Sequence, residues 1–166
     1  MDITVSSDID SEYLSLIQNI LDDPEFKKLG LYTQHLKTTR LMHSINVSYI
    51  SWMIARKFGL DECAAARAGL LHDFFLYGYG EKDKRDFHSC MAFDHPKTAA
   101  RNSQERFDIS EKERLAILSH MFPLGPLPTS REAWIISCAD KLCATMELFQ
   151  VPIALSKNNR VVVAAV

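Results

Sequence analysis

Six side chains in this sequence could together do chemistry that none could do alone: His43, His72, Asp73, His95, His120 and Asp140. They stand 29, 1, 22, 25 and 20 residues apart, so that successive helical segments would each bring one or two of them. Imidazole with carboxylate and no thiolate is a donor set for a hard-to-borderline divalent ion such as iron, manganese, cobalt or magnesium. A lone buried histidine is more often satisfied within a core than bound to a metal. The acids weigh more heavily. Asp73 sits in AGLLHDFF and Asp140 in WIISCADKL, apolar settings where an unpaired carboxylate is expensive. Lys141 offers Asp140 a structural ion pair as the plainer alternative. Neighbouring residues on a helix diverge by about 100°, so His72 and Asp73 reach one ion only where that helix ends in a shared cavity.

The elements that must position these residues read as helices throughout. Ser11 to Leu21 carries an apolar stripe of Tyr13, Leu14, Ile17, Ile20 and Leu21. Asp23-Pro24 reads as an N-cap with proline in the first helical position, starting a short piece that Gly30 stops. TTRLMHSINVSYISWMIARKFG is the strongest helix, with Leu41, Ile45, Ser48, Trp52 and Ala55 on one face and Gly59 at its C-terminal end. Asp61 caps the next, DECAAARAGLLHDFF, whose alanines favour close helix–helix approach. Tyr77 to Phe87, with two glycines and six charges, reads as a surface loop and a natural lid. Asp94-His95-Pro96 looks like a capped start running to about Phe107. Ser110-x-x-Glu113 and Thr129-x-x-Glu132 are capping boxes for the last two helices, with the irregular FPLGPLPT between them. The expected fold is all-α, with six or seven helices.

Length and composition fit that plan. The 166 residues suit one domain. At 47% hydrophobic and 24% charged, the chain lies outside the disordered range. A net charge of -2 argues against a nucleic-acid polymer or an anionic membrane as partner, though not against a small anion met by local cations. Cys63, Cys90, Cys138 and Cys143 form no C-x-x-C pair and suit neither a disulfide framework nor a thiolate zinc site. The polar, acidic N-terminus and the absence of any long apolar run lead us to expect a soluble, cytoplasmic protein.

The sequence resembles the HD superfamily of metal-dependent phosphohydrolases. The resemblance rests on His43 in RLMHS, the doublet His72-Asp73 in AGLLHDF, and Asp140 in SCADKL, and it covers about Leu36 to Leu148. It implies a single HD-type helical bundle over 1–166, with 1–30 as an N-terminal helical extension and 149–166 as a C-terminal tail. His95 in DHPKTAA and His120 in AILSHMF match the extra histidines of two-metal members, most like the bacterial hydrolases of symmetrical dinucleoside tetraphosphates. By that resemblance one ion is held by His43, His72, Asp73 and Asp140, and a second by His95 and His120, with Asp73 bridging. Such a pair activates water as hydroxide against a phosphoryl group, and six residues leave coordination positions open for it.

The implied function is a dinuclear phosphohydrolase of a nucleotide or related small phosphate ester or anhydride, with Asp73 and Lys141 in catalytic roles. Many family members carry Lys three residues after the doublet, where this chain has Leu76. Lys82, Lys84 and Arg85 of the loop could replace it or form a solvated charge run; Lys97 and Arg101 are further substrate-binding candidates. His35 and His88 fall outside the pattern and are expected at the surface. Trp52, Trp134, Met42, Met121 and Met146 are expected in the core. Two alternatives remain: a di-iron oxygenase on the same fold, and a non-catalytic metal- or nucleotide-binding sensor. A homodimer is compatible with the sequence, and the terminal KNNRVVVAAV could serve as docking strand, helix tail or dimer contact.

Overall fold

The computed structural model describes residues 11–35, 38–78 and 91–149. The candidate lid from Tyr79 onward, with Lys82, Lys84 and Arg85, lies outside the described residues, as do His88 and the tail beyond 149. Among the described residues seven α-helices follow one another: α1 (Ser11–Leu21), α2 (Pro24–Lys27), α3 (Arg40–Lys57), α4 (Glu62–Leu71), α5 (Met91–Phe107), α6 (Glu111–Ser119) and α7 (Arg131–Leu148). Between α2 and α3 come a 3₁₀ turn (Lys28–Leu31) and a small antiparallel pair, β1 (Thr33–His35) and β2 (Thr38–Thr39). The helical periodicity did not disclose that pair, which is too short for alternation to register. No helix among the described residues is long and apolar enough to cross a membrane.

The helix ends follow from local chemistry. Asp23 accepts from the Glu25 and Phe26 amides, and Pro24 occupies the position where a missing N–H costs nothing. Thr39 caps α3 through the Met42 amide. Gly59 ends it at φ +63°, the left-handed conformation that glycine adopts freely. Ser110 and Glu113 form the expected reciprocal box. Two starts differ from expectation. Ser130, not Thr129, caps α7 by accepting from Ala133, and Glu132 turns instead to the Asp61 amide at 3.1 Å. α5 begins at Met91, so Asp94 lies in its first turn and meets Lys97 at 3.6 Å.

α3 runs through the centre, with twelve of its eighteen residues buried, and packs most extensively on α4 and then α7. Tyr13, Ile17 and Ile20 of α1 and Phe26 of α2 join the same core as Trp52, Leu70, Ile117 and Ile136. Trp134 does not: it is 42% exposed and stacks edge-on against Phe122. At the α3–α4 crossing the side chains are small. The Ser48 hydroxyl accepts from Tyr13 Oη at 2.9 Å and donates to the Ala66 carbonyl at 2.6 Å. A Cβ on Gly69 would come within 3.0 Å of Ser48 Cα, which is backbone and cannot swing aside.

Two outcomes follow from this packing. Gly69→Ala forces α3 and α4 apart and should cost about 1–3 kcal/mol, read as a lower urea midpoint. Asp61 caps α4, and the Ala64 amide, with Lys112 beside it, holds its carboxyl below the usual range. Its folded form favours ionisation, so its stabilisation is complete above the ordinary carboxylate range and fades as pH falls through the lowered value. Asp61→Ala should therefore cost about 1 kcal/mol at neutral pH, with the gap from the parent narrowing in urea titrations at progressively lower pH.

Candidate metal centre

Five segments converge on one buried cluster. His43 is the fourth residue of α3, His72 closes α4 with Asp73 next to it, His95 lies in α5, His120 closes α6, and Asp140 lies in α7. All but Asp140 rank among the buried residues, and the Asp140 side chain is 14% exposed. Because α4 stops at Leu71, Asp73 leaves the helical path, and the divergence expected of adjacent helical residues does not separate it from His72. The C-terminal ends of α4 and α6 both face the cluster, and a helix C-terminus carries partial negative charge that favours cations.

The donor atoms lie close together. His43 Nε2 is 3.0 Å from Asp140 Oδ1, and His72 Nε2 is 3.7 Å from both Asp140 Oδ1 and Asp73 Oδ2. On the other side, Asp73 Oδ1 is 3.3 Å from His95 Nε2 and 3.7 Å from His120 Nε2, which are 2.9 Å from each other. Two groups of possible ligands, His43–His72–Asp73 and Asp73–His95–His120, thus share Asp73. The structure brings all six expected ligands together.

Hydrogen bonds set the ring orientations. His72 Nδ1 donates to the Gly69 carbonyl at 2.8 Å and His120 Nδ1 to the Ile117 carbonyl at 2.7 Å, which leaves each Nε2 as a lone pair. His72 Nε2 and Asp73 Oδ1 are buried without a hydrogen-bond partner. Two such buried acceptors without a donor are costly unless a cation occupies the space, and the imidazole–carboxylate set fits a divalent ion.

The electrostatics agree. Burial opposes ionisation of Asp73, but His72, His95 and His120 outweigh it and hold the carboxyl far below the usual range. Burial, reinforced by His72, lowers His120 to about 4, so its ring is neutral at physiological pH. Burial would lower His43 too, yet the hydrogen bonds to Asp140 and Glu147 push it up to about 10. A cation held at its Nε2 would take the place of that proton.

Residues without a place in the pattern complete the site. Gln34 of β1 donates to Asp73 Oδ2 at 2.6 Å, and the buried Arg40 donates Nε to Gln34 Oε1 at 2.9 Å. The Arg40 guanidinium lies 3.6 Å above the Phe75 ring. Glu147 accepts from His43 Nδ1 at 2.9 Å and from Asn46 at 3.1 Å. His35, expected at the surface, is half-buried with its ring 5.4 Å from that of His43. The one signal for Glu147 was its position two helical turns after Asp140; for Gln34 and His35 there was none, because the β1–β2 pair places them.

A cavity of about 330 Å³ opens onto the cluster, lined by Gln34, His35, Asp73, His95, His120, Met121, Pro123, Leu124, Asp140, Lys141 and Ala144. Met121 therefore walls the cavity instead of filling the core. Lys141 does not pair with Asp140; its amine donates to the His120 and Ser137 carbonyls and to Ser137 Oγ at 2.9–3.1 Å. Lys97 and Arg101 are exposed and absent from the cavity wall.

Comparison with known proteins accords with this geometry. The HD domain model matches residues 40–145, a span that encloses all six candidate ligands. A deoxyguanosinetriphosphate triphosphohydrolase-like protein of Bradyrhizobium sp. (strain ORS 278) is 34% identical over a 104-residue alignment, covering 54% of this chain and 27% of that protein. A protein of the same description from Parvibaculum lavamentivorans (strain DS-1 / DSM 13023 / NCIMB 13966) is 41% identical over 61 residues, covering 34% of this chain and 15% of its own length. The chain thus spans about a quarter or less of these relatives. An all-α bundle, a His-Asp doublet at a helix end and a family match over most of the bundle agree: the chain belongs to the HD domain family.

Proposed function

We propose that this chain is a two-metal phosphohydrolase of a nucleotide-type phosphoanhydride or phosphoester. The observation that carries the reading is the division of the two Asp73 oxygens between two groups of histidines. His43, His72, Asp73 and Asp140 would hold one divalent ion, and His95, His120 and Asp73 the other. Ions so held supply Lewis-acid polarisation of a phosphoryl oxygen and a nucleophile from water near neutral pH.

The chain's own groups prepare that chemistry. His120 presents a neutral Nε2, fixed by the Ile117 carbonyl. Gln34 steers Asp73 through Oδ2, and Arg40 steers Gln34. Lys141 stands at the cavity wall as its nearby cation while holding the end of α6, and with it His120, by the backbone. Met121, Pro123, Leu124 and Ala144 form an apolar wall suited to a sugar or base, and the volume suits one nucleotide. With Leu76 in the family's lysine position, phosphate-binding charge in this reading comes from Lys82, Lys84 and Arg85, and Lys97 and Arg101, exposed and away from the cavity wall, take no part.

The relatives' descriptions make a deoxynucleoside triphosphate the first substrate to test; the His95–His120 pair makes a symmetrical dinucleoside tetraphosphate the second. The Mn²⁺-loaded protein is offered both, and products are resolved by anion exchange. Tripolyphosphate from the former, or two nucleoside diphosphates from the latter, supports the reading and identifies the substrate. No cleavage of any phosphate bond overturns it, and oxygen consumption by the iron-loaded protein in that case marks oxygenase chemistry instead. Saturating Mn²⁺ should raise Tm by about 5–10 °C. Asp73→Asn should abolish that rise and lower turnover by at least about 100-fold, since it removes a shared ligand.

A further inference from the structure

Three histidines of the cluster settle their second ring nitrogen in two different ways. His72 and His120 cap their helices, and each donates Nδ1–H to the carbonyl three residues back. Carbonyls in a last helical turn have no intrahelical partner, so the helix end itself orients the ring. His43 lacks that option, because it lies in the first turn of α3, where the carbonyls are engaged by amides further along. Its Nδ1 points across to α7 and meets Glu147 Oε2 at 2.9 Å, while Nε2 faces Asp140 Oδ1 at 3.0 Å.

We infer that Glu147 is a positioning residue of the metal centre: it accepts the Nδ1–H of His43 and so holds Nε2 as the lone pair aimed at the cation shared with Asp140. The inference rests on the metal reading proposed above. Asn46 donates to the second oxygen, Glu147 Oε1, at 3.1 Å and fixes the carboxylate plane. Periodicity supports the assembly. Asn46 follows His43 by three residues on α3, and Glu147 follows Asp140 by seven on α7, so each pair shares a helix face. The Glu147 side chain is 5% exposed, so water is a poor substitute for it. A carboxylate on the far nitrogen fixes the tautomer and makes the ring a stronger ligand, and losing such a partner costs about 10–100-fold in metal affinity.

Glu147 also forms a group of possible ligands with His35 and His43. As a ligand it would bind an ion of its own; as a positioning residue it changes affinity without changing the number of ions. Calorimetric titration of the full chain with Mn²⁺ separates the two. Glu147→Ala should weaken binding by about 10–100-fold at unchanged stoichiometry. Glu147→Gln, whose amide oxygen still accepts from Nδ1, should recover part of the loss and carries the test should the alanine variant not fold. His35→Ala should leave the stoichiometry as it was. Wild-type affinity in both Glu147 variants overturns this inference alone. So does the loss of one ion common to Glu147→Ala and His35→Ala. Absence of Mn²⁺ binding by the unaltered chain overturns the metal reading and this inference together.

Discussion

Asp73 is a carboxylate with almost no access to water, and the space around it is filled by imidazole nitrogens: His72 on one side, His95 and His120 on the other. Such a group survives burial only if positive charge or hydrogen-bond donors surround it. Among the described residues Oδ2 receives a close donor from Gln34 at 2.6 Å, while Oδ1 has His95 Nε2 at the longer distance of 3.3 Å. Much of the surrounding architecture can be understood as the means of bringing compensation to this one side chain from five separate segments.

The α3–α4 crossing is the mechanical half of that arrangement. Ser48 and Gly69 let the two helices approach until a single extra carbon would strike backbone. That approach brings the His43 and His72 rings to 5.3 Å. The row continues with 4.9 Å from His72 to His120 and 4.9 Å from His120 to His95. Interiors packed at crystal-like density transmit small displacements, so the spacing of these rings depends on residues outside the cluster.

The polar surroundings are the electrostatic half. The ends of α4 and α6 orient two histidines through their own carbonyls, Glu147 orients a third, and Arg40 at the start of α3 reaches Asp73 through Gln34 of β1. Lys141 anchors the His120 carbonyl rather than neutralising Asp140, so the acid at its side is left to His43 and the cluster. These contacts make rotamers and tautomers definite, which a metal centre needs before its ligands can act together.

The sequence alone was enough to single out the six side chains that cluster and the helices that bear them. A His-Asp doublet at the end of an alanine-rich helix, an acid in an apolar context, and capping residues at Asp23, Asp61 and Ser110 are local signals, and local propensity is legible one segment at a time. It was not enough for Gln34, His35 or Glu147. Gln34 and Glu147 meet partners 39 and 104 positions away, and no local propensity marks a residue for such a contact; His35 is turned toward His43 by the short β1–β2 pair. For the same reason Trp134 and Met121 read as core but came to lie at the surface and at the cavity wall. Apolar character specifies that a side chain seeks burial; only the packing of the seven helices decides which places remain to bury it.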